Sequence, residues 1–87
     1  MKDKEKLLKA LANARRLEIL QLLKKRAELS VGEIAEKIDL SFRSTSRHLR
    51  LLFQAGLLAE ERRGNVIEYH MPKSLPELAS RILPLLF

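Results

Sequence analysis

Apolar positions recur at helical spacing through the first 55 residues, alternate briefly between about 57 and 71, and return to helical spacing at the end. Residues 3 to 12 set Leu7, Leu8 and Leu11 among lysines, the stripe of a short amphipathic helix. Asn13 then reads as the cap of a second helix, ARRLEILQLLKKR, whose band of Leu17, Leu20 and Leu23, supported by Ile19, predicts an end near Ala27. Ser30 opens a third. In SVGE the glutamate Glu33 lies three residues past the serine, the spacing of a capping box, and Ile34, Ala35 and Ile38 face inward. Asp39 and Leu40 leave room for a tight connection only. Ser41 caps a fourth helix from Phe42 to about Ala55, and Gly56 stops it because glycine accepts the left-handed conformation at a helix end.

Between 57 and 71 the period changes to two. Ile67, Tyr69 and Met71 alternate with Val66, Glu68 and His70, and Gly64-Asn65 sits where a hairpin turns. Two such strands are marginal alone and must pack on helices. The last segment places Ser74 and Glu77 at capping-box spacing and carries Leu78, Ile82, Leu85 and Leu86 on one side, with Pro84 disturbing its last turn. The expected fold is mainly α with a small β-hairpin, in the order α-α-α-α-β-β-α. Two short helices joined by a tight turn and followed by a two-stranded ribbon make a winged helix-turn-helix. Residues 1–87 form one such domain, with 1–12 and 74–87 as dimerisation helices.

Composition narrows the partner. Seventeen Lys and Arg against 11 Asp and Glu give a formal charge of +6, which favours a polyanion. The absence of cysteine excludes disulfides, thiolate metal sites and cysteine nucleophiles. No apolar run approaches the roughly 20 residues of a membrane span, and the N-terminus lacks the core of a secretory signal, so a cytoplasmic protein is expected. There is no glycine-rich phosphate loop and no spacing that suits a Ser-His-Asp triad, and Glu60 and Glu61, adjacent on a strand, point to opposite faces. An enzyme is not expected, nor is a cofactor.

The fourth helix answers the charge. Thr45, Leu49 and Leu52 recur four and three apart and face the core, with Phe42 and Phe53 at its edges, while its arginines lie largely opposite. A helix fits the major groove of double-stranded DNA, where arginine donates two bonds to guanine and serine pairs with several base edges. Residues at the helix start reach bases most readily, so Arg43, Ser44 and Arg47 are the candidates for base contact. Ser41, Ser46, His48 and Arg50 suit phosphates, which position a protein on DNA without reading it. Arg62, Arg63 and Asn65 lie at the wing tip, within reach of an adjacent phosphate or the minor groove. The competing reading is a winged-helix scaffold whose basic face is only a solvated face.

ALANARRLEILQLL, with Ala10, Leu11, Ala12, Asn13, Arg16, Leu17, Ile19 and Leu20, resembles the opening pattern of the ArsR/SmtB-type family of transcriptional regulators. The serine-capped run with Ser41, Ser46, Arg47, His48 and Leu49, then Ala55-Gly56-Leu57-Leu58 and Tyr69, extends the resemblance over about residues 7 to 71. It implies a homodimer joined by the first and last helices and operator binding through paired recognition helices; two-fold symmetry then predicts an inverted-repeat operator, whose occupation would exclude polymerase and repress transcription. Leu7, Leu8, Leu11, Leu78, Ile82, Leu85 and Leu86 are the expected interface. The family's metal sensors carry cysteine at the start of the third helix, where this chain has Glu28-Leu29-Ser30-Val31-Gly32-Glu33. The tail offers Glu77 and no histidine, so no bound metal is expected.

Overall fold

The computed structural model describes residues Met1–Phe87, and its first three helices follow from local signals in the chain. Helix α1 (Lys2–Leu11) turns Leu7, Ala10 and Leu11 into the core. Asn13 caps α2 (Ala14–Lys25), its side chain accepting from the Arg16 amide. That helix stops at Lys25, two residues before the expected Ala27, because Arg26 goes extended (φ −113°, ψ 144°) and carries the chain into a strand. The strand is β1 (Leu29–Ser30), absent from the expected order, and the observed sequence of elements is α-α-β-α-α-β-β-α.

Ser30 completes the capping box of α3 (Val31–Ile38): the Glu33 amide donates to its hydroxyl at 3.1 Å, and its own amide donates to the Glu33 carboxylate at 2.9 Å. The bond from the Ser30 amide, and then the Ser30 hydroxyl, stabilise the charged form of Glu33 and hold its pKa below the usual carboxylate value. Asp39 ends α3 in the left-handed region (φ 54°, ψ 55°), a conformation that short polar side chains tolerate, so the chain reverses at once into α4 (Phe42–Gln54). After α4, Gly56 stands at φ +79°, and a Cβ there would also lie 3.2 Å from the Pro76 ring.

Strands β2 (Ala59–Arg63) and β3 (Val66–His70) form the wing, with Arg63 opposite Val66 across the two-residue turn Gly64-Asn65. Only Gly64 of that pair has positive φ (+64°), the pattern of a turn that demands glycine first. β1 joins on the far side of β3, pairing Leu29 with Tyr69 and Ser30 with Glu68, so the sheet order is β1-β3-β2.

The last helix, α5, runs Glu77–Leu86 with Pro76 at its cap position and no side-chain cap. The expected Ser74–Glu77 capping box does not form. A helix begun at Ser74 would put Leu75 in helical conformation immediately before a proline, which the proline ring opposes. Pro84 lies inside α5, where its missing N–H removes the usual helical donor to the Ser80 carbonyl.

One apolar core joins these pieces, with Ile19, Leu20, Ile34, Leu49, Leu52, Leu57 and Ala79 at its most enclosed positions. Thr45 is buried with them, and its hydroxyl has no hydrogen-bond partner.

Candidate nucleic-acid interface

Helix α4 is set by its cap and by the neighbours that grip it. The Ser44 amide donates to the Ser41 hydroxyl at 3.1 Å, which begins the helix directly after the turn. The amides ahead of it lack helical acceptors, as at every helix start, and form a small positive pole. Thr45, Leu49 and Leu52 fix the inner face in the core, so Arg43, Arg47 and Arg50 are exposed on the outer one. None of these three arginines is held by a carboxylate; the ion pairs of the chain involve Arg15, Arg63 and Arg81 instead. Ser44 and Ser46 are half-buried between the two faces, and Ser41 is exposed.

His48, expected to meet a phosphate, also belongs to a network inside the chain. Its Nδ1 lies 3.2 Å from the Arg16 guanidinium. Burial lowers its pKa first, and the charges of Arg16, Arg47 and Arg15 lower it further, which favours the neutral ring. A neutral ring that accepts at Nδ1 carries its proton on Nε2, which leaves that N–H as its donor.

Arg16 stands in the first turn of α2, and its role comes from the tertiary fold. The structure shows its Nε donating to the Ala10 carbonyl at 2.6 Å and its other nitrogens reaching the Lys9 carbonyl at 3.1 Å and His48. It ties the end of α1 to the middle of α4. Arg15 does the same for the turn, donating to the Ile38 carbonyl at 2.7 Å and to Glu18 at 3.1 Å. Both arginines lie in the first turn after the Asn13 cap, but the backbone carbonyls they reach lie in other elements. That adjacency was the only available signal.

In the wing, Arg62 and Asn65 are exposed and outside any ion pair. Arg63, also expected at the DNA, is exposed but paired within the chain. It is bound at 3.6 Å by Glu28, at 3.0 Å by Glu61 and at 2.8 Å by Glu68, and these carboxylates raise its pKa above its ordinary value. Its charge binds the wing to the loop before β1. At the wing's root, burial and then Glu60 push the Tyr69 hydroxyl up to about 12, with Arg50 of α4 acting in the opposite sense.

Two of the expected interface residues are corrected. Leu7 and Leu11 are buried in the chain's own core and have little surface left for a partner. Leu8 is 49% exposed, Leu85 84% and Leu86 48%, while Leu78 and Ile82 are half-buried against the core. Phe42, expected at the core's edge, is 63% exposed at the first position of α4. A cavity of about 800 Å³ lies between α2, β3 and α5 and is lined by Leu20, Leu23, Met71 and Leu83 among others, with no residue of α4 on its wall. No three His, Asp or Glu side chains come together in a geometry that would hold a metal, and no helix is long and apolar enough to cross a membrane.

A family model described as a helix-turn-helix domain matches residues 11–61. The arsenical resistance operon repressor of Escherichia coli (strain K12) is 36% identical over 77 residues, 88% of this chain and 66% of that protein, so the chain spans just under two thirds of its length. The transcriptional activator HlyU of Vibrio cholerae is 39% identical over 80 residues, 87% of this chain and 73% of that protein. Among solved structures, the homodimeric winged helix-turn-helix DNA-binding domain of a possible ArsR-family transcriptional regulator from Mycobacterium bovis matches with a TM-score of 0.81 and 32% identity, covering 98% of this chain and 75% of that one. By sequence and by fold, this chain belongs to the ArsR-type family of winged helix-turn-helix transcriptional regulators.

Proposed function

We propose that residues 1–87 act as one DNA-binding domain, a homodimeric and sequence-specific repressor that seats α4 in the major groove of double-stranded DNA. The observation that carries this reading is the outer face of α4, where Arg43, Arg47 and Arg50 stand exposed and outside every ion pair of the chain. Arg43, Ser44 and Arg47, near the helix start, contact bases. Ser41, Ser46, Arg50 and the Nε2–H of His48 meet phosphates. Arg62 and Asn65 extend the contact from the wing.

Leu8, Leu85 and Leu86, with the outer edges of Leu78 and Ile82, form the dimer surface. A two-fold axis there presents two recognition helices about 34 Å apart, which calls for an inverted-repeat operator. Occupancy of such a site excludes polymerase, and repression needs no covalent step, no cofactor and no catalytic residue. It also places the protein in the cytoplasm with the DNA. A metal trigger has little to draw on, since the chain has no cysteine and the single carboxylate of α5, Glu77, lies 3.2 Å from Arg81. The similarity to a protein named as an activator supports a second reading, in which the same dimer recruits polymerase.

Titration of duplex DNA at several salt concentrations tests the common part. A phosphate-contacting dimer loses affinity linearly in log salt as counterions are released, and selection from a random duplex pool enriches a palindrome. Salt-independent binding, or no enriched site, would leave only a winged-helix scaffold.

A further inference from the structure

Phe42 stands in a place where an aromatic ring has no packing role in the chain. It is the first residue of α4, immediately after the Ser41 cap, 63% exposed, and it is not among the side chains packed on the core. Its surroundings on that turn are set by helix geometry. Ser46 lies one turn above it, and Arg43 and Arg47 make the neighbouring ridge, so the four form one patch at the start of the recognition helix. Every other member of the patch is polar or cationic.

The major groove offers one apolar feature to such a patch, the C5-methyl group of thymine, and an apolar side chain is the group that reads it. Arginine and serine answer to the hydrogen-bonding edges of the bases but gain nothing specific from a methyl group. We propose that Phe42 determines specificity by packing its ring on a thymine methyl in each half-site, beside the bases read by Arg43 and Arg47. The inference rests on the DNA-binding reading above and adds to it the identity of one base.

The test replaces thymine by deoxyuridine, which removes the methyl group and leaves every hydrogen-bonding atom in place. The full chain is first used to select its preferred duplex from a random pool. Each thymine is then exchanged for deoxyuridine, symmetrically in both half-sites, and the dissociation constants of the wild type and of Phe42→Gln are measured on both duplexes. At one symmetric position the wild type loses about fourfold per half-site, which is the ~0.8 kcal/mol of one buried methyl group. Phe42→Gln binds the two duplexes with a ratio near one. A ring needed only to support the helix weakens binding to both duplexes equally, and that result overturns the assignment. So does a selected site without a fixed thymine, or an unchanged deoxyuridine penalty in Phe42→Gln. If the wild type selects no duplex at all, the DNA-binding reading itself fails, and that outcome is distinct from the loss of the thymine contact alone.

Discussion

Helices α4 and α5 each hold one face against the core and leave the other open, and the open faces differ in charge: α4 exposes Phe42, Leu51 and Phe53 beside three arginines in no ion pair, whereas the one cation of α5, Arg81, is paired with Glu77. On α4 the outer positions carry Arg43, Arg47 and Arg50; on α5 the chain leaves Leu85 and Leu86 in solvent. The ends differ as well. Ser41 caps α4 with its side chain, whereas α5 starts at Pro76 with no side-chain cap and contains a proline. A helix stabilised by its own cap and core can devote its exposed face to a strongly hydrated polyanion. A helix that exposes leucines is stabilised by having them covered. The contrast is what the proposed function rests on, with the cationic face turned to DNA and the exposed leucines to a second copy.

The most severe way to break the contrast is to charge α5. Each leucine removed from water is worth about 1.5–3 kcal/mol, and two per protomer double across the axis. Leu85→Asp with Leu86→Asp is therefore expected to give monomer mass in sedimentation and at least a hundredfold weaker operator binding. A variant that still sediments as a dimer would move the interface elsewhere. Arg47→Ala tests the other face. A bidentate base contact is worth about 1–3 kcal/mol of discrimination, so operator affinity measured by fluorescence anisotropy should drop about fivefold or more while the dimer mass stays unchanged.

Thr45 sharpens the comparison from inside, since its buried hydroxyl lacks a partner. Thr45→Val removes that polar group and is expected to add about 1 kcal/mol, raising the melting temperature by roughly 4–8 °C with DNA affinity intact. The smallest effect comes from His48. Its folded pKa lies below the ordinary 6.5, so near that value the unfolded chain binds more protons than the folded one. The stabilising contact is complete above about 6.5 and is lost as the pH falls from there toward the folded pKa. Melting curves between pH 7.5 and pH 5 should show this decline, flattened in His48→Gln; an identical decline in the variant would assign it to other groups.

What was legible in the sequence depended on distance along the chain. Asn13, Ser30, Ser41 and Gly64 act through bonds or dihedral angles within three residues, and all four behave as their positions predict. The inward stripe of Thr45, Leu49 and Leu52 was equally plain, because a helix repeats it. Contacts between distant residues were not visible. The Arg16–His48 bond spans 32 residues, and β1 is two residues long with its partners in β3. Arg63 looked free because Glu28 is remote in sequence, and Leu7 and Leu11 looked available for a partner because a stripe does not say which chain covers it. Ser74 and Glu77 had the right spacing for a cap, but Pro76 between them governs the local backbone.

The short pairing of β1 with β3 has a mechanical consequence. Ser30 is a rung of the sheet opposite Glu68 and also the residue from which α3 starts, and Arg63 clips the hairpin to Glu28 just before it. Swinging the ribbon away would unravel the first turn of the neighbouring helix. The ribbon and α3 thus share one residue as their hinge point, so a displacement of one is passed to the other.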